Sequence, residues 1–216
     1  MKHIKNIAVG FLVSYIGSLP LGYLNVVGFH LFQNSDLPNL IYYLVGVAVI
    51  EAVVIYISLV FARKLSVNKK LLKYIEVFSI IFMVALAAYF AYEASIQRDG
   101  KPEYIENLDD YHPFITGLML SGLNFIQVPF WVGWNLYLIN GNYIRTAGIY
   151  KYFFVLGATV GTFAGMLCFV LLLNEVSSGS NSNAPEIVAW AVPCIFFGMA
   201  IFGLYSYFKK RRKKAF

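Results

Sequence analysis

Charged residues are scarce in this chain of 216 residues, and cysteine, glycine and proline are too few to define a structural class. Only 13% of the residues are charged, whereas ordinary soluble domains have about 25%. The 2 cysteines exclude a disulfide scaffold, and the 17 glycines and 7 prolines exclude a collagen. A hydrophobic content of 59% excludes a disordered chain. Because the mean hydropathy is +0.66, the composition predicts an integral membrane protein.

Long stretches without charge alternate with short polar segments, and each stretch has close to the ~20 residues that a spanning helix needs. The chain shows none of the alternating polar and apolar segments that membrane β-barrels require. We therefore predict an all-α fold in which residues 1–216 form a single membrane domain with six transmembrane helices. The predicted spans are approximately Ile7–Phe32, Asn39–Ala62, Tyr74–Ala94, Pro113–Asn140, Tyr152–Asn174 and Ile187–Phe208.

The distribution of lysine and arginine predicts the orientation, because these residues accumulate on the cytoplasmic side of a membrane. They are concentrated at the N-terminus, after the second and fourth spans, and in the tail 209–216. Only Arg98 and Lys101 fall on the other side, in the acidic loop 95–112. We therefore predict that both termini are cytoplasmic and that this loop faces the exterior. The basic tail is interpreted as a topology anchor against anionic lipid, not as a nucleic-acid-binding segment.

Polar and helix-breaking residues interrupt the first span near its centre, at Ser18, Pro20, Gly22 and Asn25. Proline removes a backbone donor and clashes with the preceding turn, and glycine makes bending easy. A broken helix in lipid leaves unpaired backbone groups, which are tolerated only against protein or a water-filled cavity. The pattern therefore predicts that these residues line a substrate or ion site.

The fourth span is interrupted in a similar way. Asn124 and Gln127 are polar at mid-membrane depth, Pro129 interrupts the hydrogen-bond ladder, and Trp131 follows. A single proline in a membrane helix is common and often only aids packing. Breaks at corresponding places in spans one and four favour a functional site instead.

The two interrupted spans align without gaps at one constant offset, and the orientation makes them enter the membrane from opposite sides. We therefore predict a 3+3 inverted repeat, with the first repeat at about residues 1–95 and the second at about 113–208. The aligned pairs are Gly10 with Gly117, Ser14 with Ser121, Gly17 with Asn124, Pro20 with Gln127, and Gly22 with Pro129.

Glu51 is the only acidic residue well inside a predicted span, with about 17 Å of helix on each side. A charge at that depth costs about 2.5–3.5 kcal/mol on insertion scales, so such residues face a bundle interior and mark an ion or substrate path. No lysine or arginine lies at comparable depth, which makes Glu51 a candidate to bind protons or another coupling ion. The alternative is a permanently protonated glutamic acid that hydrogen-bonds a neighbouring carbonyl. The spacing Gly157…Thr162 resembles Gly46…Glu51, which would place Thr162 opposite Glu51.

These features together resemble the LysE/RhtB amino-acid exporter family. The family's first-helix signature, Pro-Gly-Pro followed by Asn, matches here at Gly22 and Asn25 only, since both motif prolines are replaced. That signature falls on Leu21, Gly22, Tyr23 and Asn25, with Pro20 just before it.

The family's fourth-helix signature, Asn-Pro followed by Phe-Trp, is present without the proline. It falls on Asn124, Phe125, Phe130 and Trp131. Glu51 stands where the family usually has Asp. The resemblance implies a proton-motive-force-driven exporter of amino acids or similar small metabolites from the bacterial cytoplasm, located in the plasma membrane.

Three other hypotheses stay open at this point. A metal-ion exporter of a related branch needs several carboxylates or histidines at one depth, where only Glu51 is available. A thiol–disulfide electron carrier needs facing cysteines in spans one and four, whereas Cys168 and Cys194 lie in spans five and six. A membrane scaffold subunit explains the hydrophobicity but neither the paired breaks nor the buried acid.

The sequence contains no P-loop, dinucleotide fingerprint, metalloprotease motif or hydrolase nucleophile motif. We therefore expect no enzymatic activity, no cofactor and no resident metal, and we expect an ion gradient to drive transport. Three glycines four residues apart in the fifth span, Gly157, Gly161 and Gly165, favour close helix packing. That packing serves either the fold of one chain or a homo-oligomer.

The predicted orientation is tested with a reporter enzyme that is active only outside the cytoplasm. Fused after Phe216, the reporter is expected to be inactive, because the basic tail is retained inside. An active reporter at this position would contradict the predicted topology.

Overall fold

The structure is a computed structural model that describes residues 2–18, 22–66 and 111–178, with isolated positions between 74 and 95 and between 194 and 205. The three continuous ranges contain helices and no strand, so the predicted all-α class is confirmed for this part of the chain. The helices are α1 (Lys2–Ser18), α2 (Gly22–Asn34), α3 (Leu37–Leu65), α4 (Pro113–Leu123), α5 (Gln127–Asn140) and α6 (Tyr150–Ser178).

Two helices in the described ranges are long and apolar enough to cross a membrane. They are α3, with a mean hydropathy of 2.6, and α6, with a mean hydropathy of 2.2 over Tyr150–Glu175. The pair α4 and α5 forms a third crossing if the two are taken as one span with a bend of 70°. These elements correspond to the predicted spans two, five and four. Predicted spans three and six and the tail 209–216 lie largely or wholly outside the described residues.

The break in the fourth predicted span lies before Pro129. Helix α4 ends at Leu123, and Asn124 then adopts φ −79° and ψ 75°, outside the helical region. Helix α5 begins at Gln127, which places Pro129 in its first turn. The N–H groups of a first turn have no partner within the helix, so proline costs little there. The residues that change the direction of the chain are therefore those between Leu123 and Gln127.

The first predicted span is also described as two helices. Helix α1 ends at Ser18 and helix α2 begins at Gly22. Pro20, the residue predicted to break this span, lies outside the described residues. The Asn25 amide nevertheless donates to the Ser18 carbonyl at 2.8 Å. Seven residues of one continuous helix would separate these positions by about 10 Å, so α1 and α2 are not turns of one straight helix.

Helices α1 and α6 pack side by side and run in the same direction. A Cβ added at Gly157 would collide with the backbone of Ile7, and one added at Gly161 would collide with the backbone of Phe11. Both helices advance by four residues between these contacts, so the close approach continues over successive turns. Glycine allows it because it places no side chain between the two backbones.

Helix α4 follows α3 in the same way. A Cβ at Gly46 would collide with the Phe114 carbonyl, and one at Gly117 would collide with the Tyr43 carbonyl. One turn further along α4, the Ser121 hydroxyl donates to the carbonyl of Val47 at 3.4 Å. These contacts make α3 and α4 parallel neighbours.

Asn6 joins the start of α1 to the loop 141–149. Its amide nitrogen donates to the carbonyls of Arg145 and Tyr150, both at 2.8 Å, and its amide oxygen accepts from the Arg145 N–H at 3.1 Å. The Arg63 guanidinium, at the end of α3, donates to the Thr146 carbonyl at 3.4 Å. We call this side of the bundle the basic end.

The lysine and arginine side chains at the basic end are ones that the distribution of positive charge in the sequence assigns to a single side of the membrane. They are Lys5, Arg63, Lys64, Arg145 and Lys151. At the opposite end, where α3 and α4 begin, the rings of Tyr42 and His112 lie 5.3 Å apart. That the basic end faces the cytoplasm stays a prediction.

The apolar interior of the described residues is divided along the bundle axis. A distal cluster, away from the basic end, contains Leu24, Val27, Leu31, Leu40, Tyr43, Leu44, Val47, Met166 and Val170. A basal cluster, nearer the basic end, contains Ile55, Leu59, Phe130, Trp131, Leu138, Ile144, Phe154 and Ala158. A small end cluster of Ala62, Leu65, Val132 and Leu136 adjoins it.

Two glycines of α4 provide a test of this packing. Gly117→Ala is expected to lower stability by about 1–3 kcal/mol, because its Cβ collides with the α3 backbone, which cannot rotate away. Gly122→Ala, five residues along the same helix, has open space around its Cβ and is expected to be neutral or slightly stabilising. Thermal unfolding of the purified protein in detergent measures both changes. Equal effects at the two positions would show that α3 and α4 do not touch at Gly117.

Candidate functional site

Glu51 and Thr162 lie where the distal and basal clusters meet. On α3, Glu51 is one turn from Val47 of the distal cluster and one turn from Ile55 of the basal cluster. On α6, Thr162 is likewise one turn from a member of each cluster. The exposed fraction is 3% for Glu51 and 0% for Thr162. The site is therefore a polar layer closed by apolar side chains on both sides.

The Glu51 carboxyl faces polar side chains from two other helices. The indole N–H of Trp131, on α5, donates to Glu51 Oε1 at 3.0 Å. The Thr162 hydroxyl, on α6, lies beside the carboxyl and donates to the Ala158 carbonyl at 3.2 Å. Because polar groups replace water at a buried carboxyl, they reduce the cost of placing it there. The structure thus brings together three of the predicted site residues.

A chain of polar contacts continues from Thr162 to the break in the first span. The hydroxyls of Ser14 and Thr162 share a hydrogen bond between α1 and α6. The Ser18 hydroxyl, one turn along α1, donates to the Ser14 carbonyl at 2.7 Å. The Asn25 amide then donates to the Ser18 carbonyl at 2.8 Å from the other side of the break. The interrupted first span is thereby linked to Glu51.

Each break has an amide side chain that reaches back to the helix before it. Asn25 of α2 donates to the carbonyl of Ser18 at the end of α1, and Gln127 of α5 donates to the carbonyl of Ser121 near the end of α4, at 2.6 Å. The last carbonyls of a helix have no partner within it, and inside a bilayer no bulk water replaces that partner. The two predicted polar residues therefore stabilise the breaks.

The remaining predicted site residues lie at the breaks. None of those that the structure describes has a hydrogen bond to Glu51. Asn124 is buried, and its backbone N–H donates to the Ser121 carbonyl at 3.1 Å. Pro129 is half-buried, and Gly22 is the first residue of α2. Pro20 lies outside the described residues.

Four buried polar residues near this layer were not predicted as site residues: Ser14, Ser58, Ser121 and Asn135. Ser14 bridges to Thr162, and its signal was its position one turn before Ser18. Asn135 stands out as an amide inside an otherwise apolar predicted span, one turn after Trp131. Ser58 has no sequence signal, because isolated serines are common in membrane helices.

The described polar layer contains one carboxyl group among neutral hydrogen-bonding groups. Within the described ranges, no three His, Cys, Asp or Glu side chains are grouped so as to hold a metal ion. Cys168 and Cys194 carry free thiols. Such a layer is suited to binding a proton, a single cation or a ligand ammonium group.

The contact between Trp131 and Glu51 is testable by paired substitutions. Trp131→Phe is expected to lower the free energy of unfolding by about 1–3 kcal/mol, because it leaves a buried carboxyl oxygen without its donor. Trp134→Phe, on the same helix, is the matched control, since the Trp134 ring is half-buried and packs edge-on against Tyr137. Denaturant unfolding in mixed micelles gives both values.

A double-mutant cycle separates the hydrogen bond from the loss of packing volume. In a Glu51→Leu background no acceptor remains, so Trp131→Phe is expected to cost less, by about 0.5–3 kcal/mol. An unchanged cost in that background would mean that the indole N–H contributes nothing to the site.

Comparison with protein-family models, curated proteins and solved structures finds no match to this chain. The resemblance to the LysE/RhtB family therefore stays a prediction from the residues that carry it. The geometry of the polar layer is the basis on which a function is proposed.

Proposed function

We propose that the chain is a secondary transporter that exports amino acids or similar small metabolites from the bacterial cytoplasm by alternating access, coupled to protons. The observation that carries this proposal is the Glu51 carboxyl, which is buried between two apolar clusters and bonded to Trp131 of one interrupted span. Through Thr162 and Ser14 it is linked to the other interrupted span. An acid that costs this much to bury is expected where it binds an ion or a substrate.

Matched glycine contacts support a 3+3 inverted repeat as part of this proposal. Gly10 of α1 approaches the Phe154 backbone of α6, and its aligned partner Gly117 of α4 approaches the Tyr43 backbone of α3. Phe154 and Tyr43 are themselves related by the offset that aligns the glycine motifs of spans two and five. Related residues in the two halves therefore make related contacts.

The reciprocal contacts match in the same manner. Gly157 of α6 approaches the Ile7 carbonyl, and Gly46 of α3 approaches the Phe114 carbonyl. Ile7 and Phe114 are aligned by the offset that relates the two interrupted spans. Repeats related in this way hold the substrate between them at the membrane midplane in many transporters.

Helix direction supports the six-span arrangement. Helices α3 and α4 run in parallel, so the chain between residues 66 and 111 has to return to the side from which α3 started. That segment contains the predicted third span, Tyr74–Ala94, and its described positions from 74 to 95 are helical. A membrane crossing there would make α3, the third span and the α4–α5 pair successive antiparallel passes.

The polar layer supplies the groups that a zwitterionic substrate needs. The N-terminus of α5 carries the positive end of a helix dipole, which favours a carboxylate. Among the described residues, Glu51 is the acidic group in this layer. It forms an ion pair with the substrate ammonium group or binds the coupling proton. Opening the distal cluster would expose the layer to one side, and opening the basal and end clusters would expose it to the other. That the cargo is an amino acid, and that it leaves the cell, follow from the resemblance to the LysE/RhtB family.

Substitution of the buried acid tests the proposed coupling. Cells loaded with a panel of dipeptides are expected to release one class of amino acid faster when they express the protein, as measured by mass spectrometry of the medium. Glu51→Gln keeps the size of the side chain and one acceptor oxygen for the Trp131 indole but has no ionisable carboxyl, so it is expected to reduce release to the level of cells without the protein. Glu175→Gln, which changes a carboxyl near the end of α6, is the matched control and is expected to export normally.

Two outcomes would count against the proposal. Normal export by Glu51→Gln would remove Glu51 from the mechanism. No difference between wild type and empty cells across the panel, with membrane insertion verified, would reject amino-acid export and lead to a metal-tolerance assay and to the scaffold hypothesis.

A further inference from the structure

Among the described residues, side-chain atoms of His3, Ser58, Asn135 and Thr159 are buried without a hydrogen-bond partner, and of these four residues only Ser58 and Asn135 are buried as a whole. Neither the amide nitrogen nor the amide oxygen of Asn135 has a hydrogen-bond partner among the described residues, and the same is true of the Ser58 hydroxyl. The exposed fraction is 0% for Asn135 and 2% for Ser58. Buried polar groups almost always have a partner, so these atoms are available to a ligand that the described residues do not supply.

Both residues lie between Glu51 and the basic end. Asn135 follows Trp131, the donor to Glu51, by one turn of α5, and Ser58 follows Glu51 by two turns of α3, or about 10 Å. Helices α3 and α5 run in the same direction here, because Leu65 packs with Leu136 in the end cluster. Asn135 and Ser58 are therefore successive polar positions along one side of the bundle, directed from the carboxyl towards the basic end.

The chemistry of these groups selects the ligand. The Asn135 nitrogen can only donate and its oxygen can only accept, whereas the Ser58 hydroxyl can do both. A cation satisfies the oxygens alone, and a carboxylate satisfies the N–H group alone. The neighbouring Ile55 and Leu59 are fully buried hydrocarbons that offer no countercharge. Water both donates and accepts, and it is the usual partner of buried polar groups that lack a protein partner.

We propose that Asn135 and Ser58 bind water molecules that carry protons between Glu51 and the basic end. This inference rests on the proposed function in one respect, namely that Glu51 is the group that takes up and releases the proton. No carboxyl group other than Glu51 stands on the surrounding elements in this half of the described bundle. The titratable side chains there are His3 and Lys5 on α1, Tyr56, Arg63 and Lys64 on α3, Tyr137 on α5, Tyr143 and Arg145 in the loop, and Tyr150, Lys151 and Tyr152 on α6.

Hydrogen–deuterium exchange of the Glu51 carboxyl tests the path directly. In lipid nanodiscs at a pH acidic enough to protonate Glu51, its C=O stretching band is identified as the infrared difference between wild type and Glu51→Gln. On transfer to D2O the rate of the isotope shift of this band reports how quickly protons reach the carboxyl. Asn135→Leu is expected to slow the shift about tenfold. This is the change in rate that follows when the barrier rises by the free energy of about one hydrogen bond. Ser58→Ala is expected to act in the same direction.

Two further variants make the result specific. Asn135→Ser, which restores a hydrogen-bonding group, is expected to recover most of the wild-type rate. Thr116→Val removes a buried hydroxyl of α4 in the distal half, where it donates to the His112 carbonyl, and is expected to leave the rate unchanged. Wild-type exchange in both Asn135→Leu and Ser58→Ala would overturn the proposal, and so would equal slowing by Thr116→Val.

The exchange measurement needs no substrate and no transport. If no amino acid is exported but Asn135→Leu slows the isotope exchange of Glu51, the exporter proposal is rejected and the water path is retained. If the wild-type protein exports and the exchange rate is unchanged in both Asn135→Leu and Ser58→Ala, the exporter proposal is retained and the water path is rejected.

Discussion

The hydrogen bond from the Trp131 indole to the Glu51 carboxyl is the interaction on which the arrangement of this interior depends. An acid in the middle of an apolar helix is costly, and its cost falls only if other helices bring donors to it. Helix α5 brings the indole and α6 brings the Thr162 hydroxyl, so both are held against α3 at one depth. The apolar clusters then fill the bundle on either side of that depth.

The interrupted spans obey the same constraint. Each break exposes carbonyl groups at the end of a helix. One of these carbonyls accepts a hydrogen bond from an amide side chain of the next helix, which is Asn25 at the first break and Gln127 at the second. The polarity that appears unfavourable in the sequence is thus needed to pair the backbone where the helices stop.

Glycine contacts determine how closely the helices approach and therefore whether the polar groups can meet. The hydroxyls of Ser14 and Thr162 bond because Gly157 and Gly161 bring the α1 and α6 backbones together. A side chain at either glycine would push α1 outward and separate the first break from Glu51. Packing and site are therefore coupled, and the packing variants at Gly117 and the site variants at Trp131 probe two parts of one arrangement.

The sequence by itself determined the helical class, the helices long and apolar enough to cross a membrane, the break between Leu123 and Gln127 and the burial of Glu51. Each of these follows from composition or from residues adjacent in the chain. It also indicated that Thr162 faces Glu51, through a spacing shared by two helices. Only the tertiary structure decided that Trp131 is the donor to Glu51, that Ser14 completes the link to the first span, and that Asn135 and Ser58 lack protein partners. These contacts depend on how helices distant in the chain are rotated and spaced, which the pattern along one helix does not specify.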